Sequence, residues 1–392
     1  MDSNENDPTT PSLRAEIEAR LSPAIDHVAL RAVARAVAEL RRGDPVVVAA
    51  SGGAVLLRTV EGVTDDDLAR LKALAGAVPK LAVTGMRGQA LGLEVGTGAA
   101  AVLLSMRGGL PAERMRALAG PDVPAVASTP LAGLAVEPVD GEDGIAAGIL
   151  LAKLARLLPA VAAVALRDGG DPAGFAAAND LVPVRAGDVL DYHTHAARTL
   201  ALVGEARVPL EDAEATRVLA FRPADGGIEH LAIVIGEPDP AAPVLVRIHS
   251  ECFTGDLLGS LRCDCGDQLR GAIAEIGRRG AGIVLYLAQE GRGIGLVNKL
   301  RAYRLQDTGF DTVDANERLG FDADERIYLP AAEMLRQLGF GAVRLMTNNP
   351  DKLRQLARCG IQVAERVPHV FPGNGHNEAY LRTKAERSGH LF

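Results

Sequence analysis

Residues 252–266 read CFTGDLLGSLRCDCG, and three of the chain's four cysteines, Cys252, Cys263 and Cys265, fall within that stretch. Thiols clustered this tightly point to a metal or to catalysis rather than to a disulfide framework. Redox dithiols usually carry Cys-X-X-Cys, and Cys263-Asp-Cys265 lacks that spacing. Structural zinc is normally closed by four protein ligands, whereas catalytic zinc keeps one position for water. Cys359 is the candidate fourth ligand, but it falls in a predicted helix near Leu356, where a lone cysteine is ordinarily core packing. Spacing alone leaves catalytic and structural zinc both open.

The flanking sequence adds polar groups. Upstream lies Arg247-Ile248-His249-Ser250-Glu251. His-X-Glu beside cysteines resembles the zinc nucleobase deaminases, but their Pro-Cys-X-X-Cys element is absent. The plain alternative is an edge strand with solvated polar residues. Downstream, QEGRGIG (289–295) matches neither a P-loop nor a Rossmann fingerprint and is by itself a weak phosphate signal. Lys352 and Arg354 on a helix surface would ordinarily be solvated charge.

A chain of 392 residues has room for two domains, each with its own core. Apolar residues make up 48%, but there is no Trp and aromatic content is 3%, so Ala, Val and Leu must fill the cores. A net charge of −8 argues against broad nucleic-acid binding. The N-terminal MDSNENDPTTPS has no apolar h-region, so no signal peptide is read and a cytoplasmic protein is expected. Residues 1–24 are expected to be a disordered tail. Lys153, Arg156 and Pro159 interrupt the most apolar segment, GIAAGILLAKLARLLPAVAAVAL, so it reads as core helix plus strand and no membrane span is expected.

Periodicity predicts an α/β (α+β) chain of two domains, each a mixed sheet with packed helices. Leu30, Val33, Val37 and Leu40 recur at helical spacing, with Gly43 beyond the end. Two strands flank Ser51-Gly52-Gly53, and Thr64 with Asp67 resembles a capping box for a helix through Leu74. A helix is expected over 145–158, stopped by Pro159, followed by a buried strand. Beyond residue 199 the character changes to antiparallel strands, with turn signals at 225–227 and 238–243. A helix lined by Leu269, Ala272, Ile273 and Ile276 ends at Gly280. The strand GIVLYLAQ, a helix through Tyr303, and a final strand, turn and helix starting at Asn349-Pro350 follow.

Five ordered segments carry a resemblance: RIHSECFTGDLLGSLRCDCGDQL, QEGRGIGLVNKLRAYRLQDTGFDTVDAN, DERIYLPAAEMLRQLG, RLMTNNPDKL and NEAYLRTKAERSGHLF. Together they identify the chain, from about residue 203 onward, as a member of the GTP cyclohydrolase II family of riboflavin biosynthesis. The resemblance implies a zinc-dependent hydrolysis of GTP that opens the imidazole ring, releases formate and pyrophosphate, and leaves a diaminopyrimidinone ribosyl phosphate. It places one Zn²⁺ per chain on Cys252, Cys263 and Cys265. Family nucleotide contacts fall on Arg247, Ile248, His249, Ser250, Glu251, Gln268, Glu290, Gly291, Arg292, Thr312, Thr347 and Lys352. Mg²⁺ would bridge the triphosphate oxygens. Tyr303 matches a tyrosine near the ring-opening centre. Asp324 and Arg326 match a pair acting at the α-phosphorus, Asp324 as base and Arg326 as nucleophile. Because guanidinium stays protonated, transition-state charge stabilisation would be the simpler role for Arg326. Ala288 departs from the arginine the family commonly has there.

The first domain, residues 25–199, looks like the dihydroxybutanone phosphate synthase half of fused riboflavin enzymes. It lacks that family's acid-rich DDEDRENEGD-type loop, replaced by VVVAASGGAVLL, and its GHTEA element, replaced near GEDGIAAG. Without those carboxylates and that histidine, enolisation has neither base nor ligand, so a degenerate domain is expected. His193-Thr-His195 could bind metal, but two histidines on one strand face are more often incidental. The catalytic domain is expected over 200–392, with GTP as ligand and a homodimer as the assembly. The alternatives are a cyclohydrolase homologue with an altered product or pathway, or a non-catalytic GTP sensor.

Overall fold

The computed structural model describes residues 26–96, 98–121, 131–141, 143–166 and 170–371, with Gly375 and Arg387. The expected tail over 1–24 and most of the C-terminal motif NEAYLRTKAERSGHLF lie outside the described residues.

Strands β1 (Val46–Ala50), β2 (Gly53–Thr59), β3 (Lys80–Thr84), β4 (Ala101–Ser105), β5 (Ala135–Val139), β6 (Ala160–Ala165) and β7 (Val182–Arg185) build a mixed sheet. Its order is β5-β4-β3-β6-β2-β1-β7. Ala50 pairs with Gly53, so Ser51-Gly52 is a tight hairpin turn between the two expected strands. Helix His27–Arg42 opens on Asp26, whose carboxylate accepts from the Val28 and Ala29 amides, and closes on Gly43 at φ +90°. The Thr64–Asp67 capping box forms and starts helix Asp65–Ala75. Val47, Leu56, Leu71 and Met115 pack on one face of the sheet, and Val46, Val48, Leu57 and Leu151 on the other.

Two expectations fail here. The helix expected over 145–158 is Gly144–Leu154 and ends before Pro159 is reached. Arg156 takes a left-handed backbone at φ +60°, which no α-helix tolerates, so the chain turns there and not at the proline. His193 and His195 lie in helix Tyr192–Arg198, not on a strand. Residues two apart on a helix do not share a face, so the pair cannot converge on one metal.

The second sheet uses β8 (Ala201–Arg207), β9 (Thr216–Arg222), β10 (His230–Ile235), β11 (Val244–Ser250), β12 (Gly282–Leu287), β13 (Ala342–Met346) and β14 (Gln362–Val367). The order is β14-β13-β11-β12-β10-β9-β8. Strands β8, β9 and β10 pair antiparallel, as the turn signals required. Strands β12, β11, β13 and β14 run parallel. The RIHSE segment is therefore a central strand, and the edge-strand alternative falls. Arg247 and His249 are buried. Helix Cys265–Arg279 buries Ala272 and Ile276 and ends at Gly280 with φ +91°. Two mixed seven-stranded sheets with packed helices make the chain α/β, as expected.

The two halves touch closely. Leu158 of the first sheet's connections is buried with Ile294, Ala302, Leu305, Leu319 and Phe321. Arg301 pairs with Glu61 at 2.5 Å, and Lys153 with Glu325 at 2.6 Å. No helix among the described residues is long and apolar enough to cross a membrane.

Candidate active site

Open parallel sheets hold ligands beyond the carboxyl ends of their strands. Here three adjacent strand ends do so. After β11 come Glu251 and Cys252, after β12 come Gln289 to Arg292, and after β13 come Thr347 and Asn348. One cavity is lined by residues from all three ends, and by Cys263, Cys265, Gln268, Tyr303, Thr312, Arg326 and Lys352.

The three sulfurs lie within 4.8 Å of one another. Cys252 Sγ and Cys263 Sγ are 3.8 Å apart. That is far beyond a disulfide bond. Zinc–sulfur bonds of about 2.3 Å at a tetrahedral angle would set sulfurs about 3.8 Å apart, so the donor set and its spacing fit a zinc ion. Gly255 keeps the cage compact: a Cβ there would stand 2.8 Å from Cys263 Sγ and 3.0 Å from Cys252 Sγ. Cys359 caps the far helix Pro350–Arg358 and packs against the core of the second sheet, so it is not a fourth ligand.

As bare thiols the three share protons unequally. Hydrogen bonds from Cys263 and Cys265, and then the Lys299 cation, drive the Cys252 pKa far down. Its bond to Cys252 pushes Cys263 up to about 11, and Cys265 rises well above the usual thiol range for the same reason. Close together and largely buried, the three sulfurs cannot all ionise readily without a cation. A divalent cation would relieve that frustration by favouring three thiolates.

Lys299 is one residue that sequence reading missed. Its Nζ lies 2.8 Å from Glu290 Oε1, 3.1 Å from Cys252 Sγ and 3.0 Å from Thr254 Oγ1. Burial works against its charge, but the bond to Glu290 and the Cys252 charge outweigh it and raise its pKa. Lys299 and Tyr303 are four apart on helix Leu296–Asp307, which puts both on one face, and that spacing was the available signal. Glu290 is fixed further by the Phe253 amide at 2.6 Å.

Beneath the cysteines, Asp256 organises a second group. It accepts from His249 Nε2 at 3.1 Å, the Cys252 amide at 3.0 Å and the Tyr286 hydroxyl at 2.9 Å. Burial lowers the His249 pKa, and its buried Nδ1 has no hydrogen-bond partner among the described residues. Glu251, half-buried, has its pKa raised by burial and then by Glu290.

The cationic wall is Arg247, Arg292, Arg326 and Lys352. Arg247 donates to Met346 O at 3.0 Å and to Gln268 Oε1 at 2.5 Å, and burial lowers its pKa to about 10. Lys352 Nζ donates to Ile248 O at 3.1 Å. Gly291 and Arg292 both take left-handed backbones, φ +63° and +62°, which turn Arg292 toward the cavity. Arg326 lines the cavity and grips Asp324, Nε to Oδ1 at 2.7 Å. Burial raises the Asp324 pKa and Arg326 more than reverses it, leaving it lowered. Two expected residues are not brought to the cavity. Asp324 stands behind Arg326, outside the lining, and the Ile248 side chain lies in the core of the second sheet, leaving only its carbonyl to the site. Ser250 and Thr312 line the wall as expected.

The family model described as GTP cyclohydrolase II matches residues 201–368. A GTP cyclohydrolase-2 from Azospirillum brasilense is 61% identical over 370 residues, covering 94% of this chain and 96% of that protein. The riboflavin biosynthesis protein RibBA of Bacillus cereus is 56% identical over 164 residues, 42% of this chain and 41% of its own. A solved two-domain 3,4-dihydroxy-2-butanone 4-phosphate synthase, RibBX from A. baumannii, matches 86% of this chain and 99% of its own at 19% identity, with a TM-score of 0.33. A sheet-end cavity with convergent thiols, carboxylates and guanidinium groups is the site of a hydrolase. The chain belongs to the GTP cyclohydrolase II family.

Proposed function

We propose that this chain opens the imidazole ring of GTP and removes pyrophosphate in riboflavin biosynthesis, giving formate and 2,5-diamino-6-hydroxy-4-(5-phosphoribosylamino)pyrimidine. The observation that carries this reading is the three-sulfur cage beside a buried Lys299–Glu290 pair and a wall of cations. Cys252, Cys263 and Cys265 would hold one Zn²⁺. When bound, it supplies Lewis acidity and a water of lowered pKa at this end of the cavity.

The remaining work falls to the chain's own side chains. Glu251, its pKa raised by burial and then by Glu290, is suited to hold or move a proton. Lys299 fixes Glu290 and offsets the negative charge of the sulfurs. Tyr303, its pKa raised by burial although Thr254 and Lys299 lower it, brings a protonated hydroxyl to the cavity. Gln268 and Glu290 offer the amide and carboxylate needed to read a guanine edge, where unmatched polar groups reject adenine. Arg292, Arg326 and Lys352 would meet the triphosphate, with Mg²⁺ on its oxygens. Arg326, on the cavity wall, would stabilise charge at the phosphorus. Asp324, clamped behind it, orients that guanidinium and is poorly placed as a base.

The first sheet, residues 25–199, is read as catalytically silent: its Ser51-Gly52 turn offers no carboxylate. A homodimer is part of the proposal. Phe253, Leu257, Leu258, Leu261, Val297 and Leu300 are exposed on two segments that Arg262 links through Tyr303 and Asp307, a surface that a second copy would cover. The test is incubation with GTP, Mg²⁺ and zinc-loaded protein, with products identified by mass. Formate, pyrophosphate and the pyrimidine are expected. Unchanged GTP, or a product retaining C8, would overturn the reading.

A further inference from the structure

The turn that ends helix Gly144–Leu154 belongs to the first sheet, yet its side chains reach both loops of the cavity wall. Arg156 holds a left-handed backbone that costs a non-glycine residue free energy, so something must hold it there. Asn298, fully buried in the second half, donates its Nδ2 to Arg156 O at 3.1 Å. The Arg156 stem lies against Gly295, where a Cβ would come within 3.1 Å of it, and Gly295 has φ +84°. Its guanidinium donates to Ala288 O at 3.2 Å, at the start of the segment carrying Glu290 and Arg292. Burial disfavours the Arg156 charge, Glu251 and Glu290 favour it, and Arg41 opposes it.

One helical turn earlier, Lys153 Nζ is 2.6 Å from Glu325 Oε1 and 3.5 Å from Asp322 Oδ2. Glu325 sits between Asp324 and Arg326. Its amide donates to Arg292 O at 3.0 Å, and its carboxylate accepts from the Asp322 amide at 2.8 Å. The two cavity loops thus touch each other, and each is held from behind by one cation of the first half.

We propose that Lys153 and Arg156 are positioning residues for the cyclohydrolase site: Arg156 sets the 288–295 loop, and Lys153 sets the 322–326 loop. This rests on the function proposed above. Without Lys153, the Glu325 carboxylate loses its cation on a loop that carries Arg326 and bonds the Arg292 backbone, and both guanidiniums would shift from the substrate. Without Arg156, the Ala288 carbonyl and the neighbouring carboxylates lose their cation, and the loop that aims Glu290 relaxes. Misplacement of groups that touch the substrate is paid in binding and rate together with little loss of global stability.

The test uses the full zinc-loaded chain and four variants: Lys153→Met, Arg156→Ala, Arg156→Lys and Tyr192→Phe. Tyr192 bonds Asp225, a residue outside both loops, across the same boundary, so it serves as the docking control. The expected result is a KM for GTP raised at least about fivefold in Lys153→Met and Arg156→Ala, with kcat lowered less than KM is raised. Arg156→Lys should recover most of the loss, and Tyr192→Phe should stay within about twofold of the parent. Hydrogen exchange without GTP should quicken in residues 288–295 and 322–327 for the first two variants only. Parental KM and exchange in those variants, or an equal effect from Tyr192→Phe, would overturn the proposal. Should Arg156→Ala not fold, Lys153→Met and Arg156→Lys decide it. A parent that leaves GTP intact would refute the proposed function instead, and the exchange measurement still decides the positioning role.

Discussion

Lys299 Nζ stands 3.1 Å from Cys252 Sγ while holding Glu290 at 2.8 Å, which couples the sulfur cage to the carboxylate facing the cavity. Removing the ammonium leaves a buried Glu290 without its cation. Lys299→Met should therefore lower formate release by about a hundredfold or more while the metal stays bound. Product assay and metal analysis on the same sample check both halves of that statement.

The cage has no room for a side chain at Gly255. A Cβ would lie 2.8 Å from Cys263 Sγ and 2.9 Å from Cys265 Cβ, both closer than real Cβ contacts come. Gly255→Ala should reduce bound zinc well below one per chain, and elemental analysis reads it. Cys359→Ser, which changes a residue remote from the cage, should retain the full complement.

Phosphate chemistry should separate from ring opening. Arg326 lines the cavity with Arg292 and is gripped by Asp324. Arg326→Ala should lose pyrophosphate release, and retained formate in that variant would mean that ring opening can come first. A quenched time course following both products reads the order.

Acid should loosen the wall of the site. His230 Nδ1 accepts from the Ala288 amide at 3.1 Å, which needs the neutral ring. Burial, then the Arg156 charge, lowers its pKa to about 4 from the ordinary 6.5. The unfolded chain then binds more protons between those values, so this stability is present above pH ~6.5 and is lost as pH falls toward ~4. The loss at the acid end is at most about 3 kcal/mol for this one group. Denaturant titrations from pH 7 to 4.5 should show it, with a flatter profile in His230→Gln.

Much of the second half was legible because its signals are local. Three cysteines at fixed spacing, a proline after Asn349 and glycine-ended helices are read from neighbours along the chain. Lys299 and Asp256 were missed because their meaning is tertiary: each becomes functional only when the fold sets it under the sulfurs. Ile248 sits inside a motif but alternates to the core face of β11, as every second residue of a strand must. Lys153 and Arg156 read as interruptions of an apolar segment. Nothing in their own neighbourhood says that they face Glu325 and Ala288, more than a hundred residues away. The His193–His195 pair reads as incidental, and only its placement on a strand is wrong, since the chain forms a helix there.

The central claim is that the three-thiol cage is catalytic and not structural, and formate release by Cys263→Ser tests it most directly. The cysteines supply no group to the phosphorus, so a folded, zinc-free Cys263→Ser should still liberate some pyrophosphate and leave GMP. Loss of Lewis-acid activation costs several kcal/mol of barrier at ~1.4 kcal/mol per tenfold in rate, so formate should fall by more than about a hundredfold. A well-folded, zinc-free variant that makes formate near the parental rate would contradict the account.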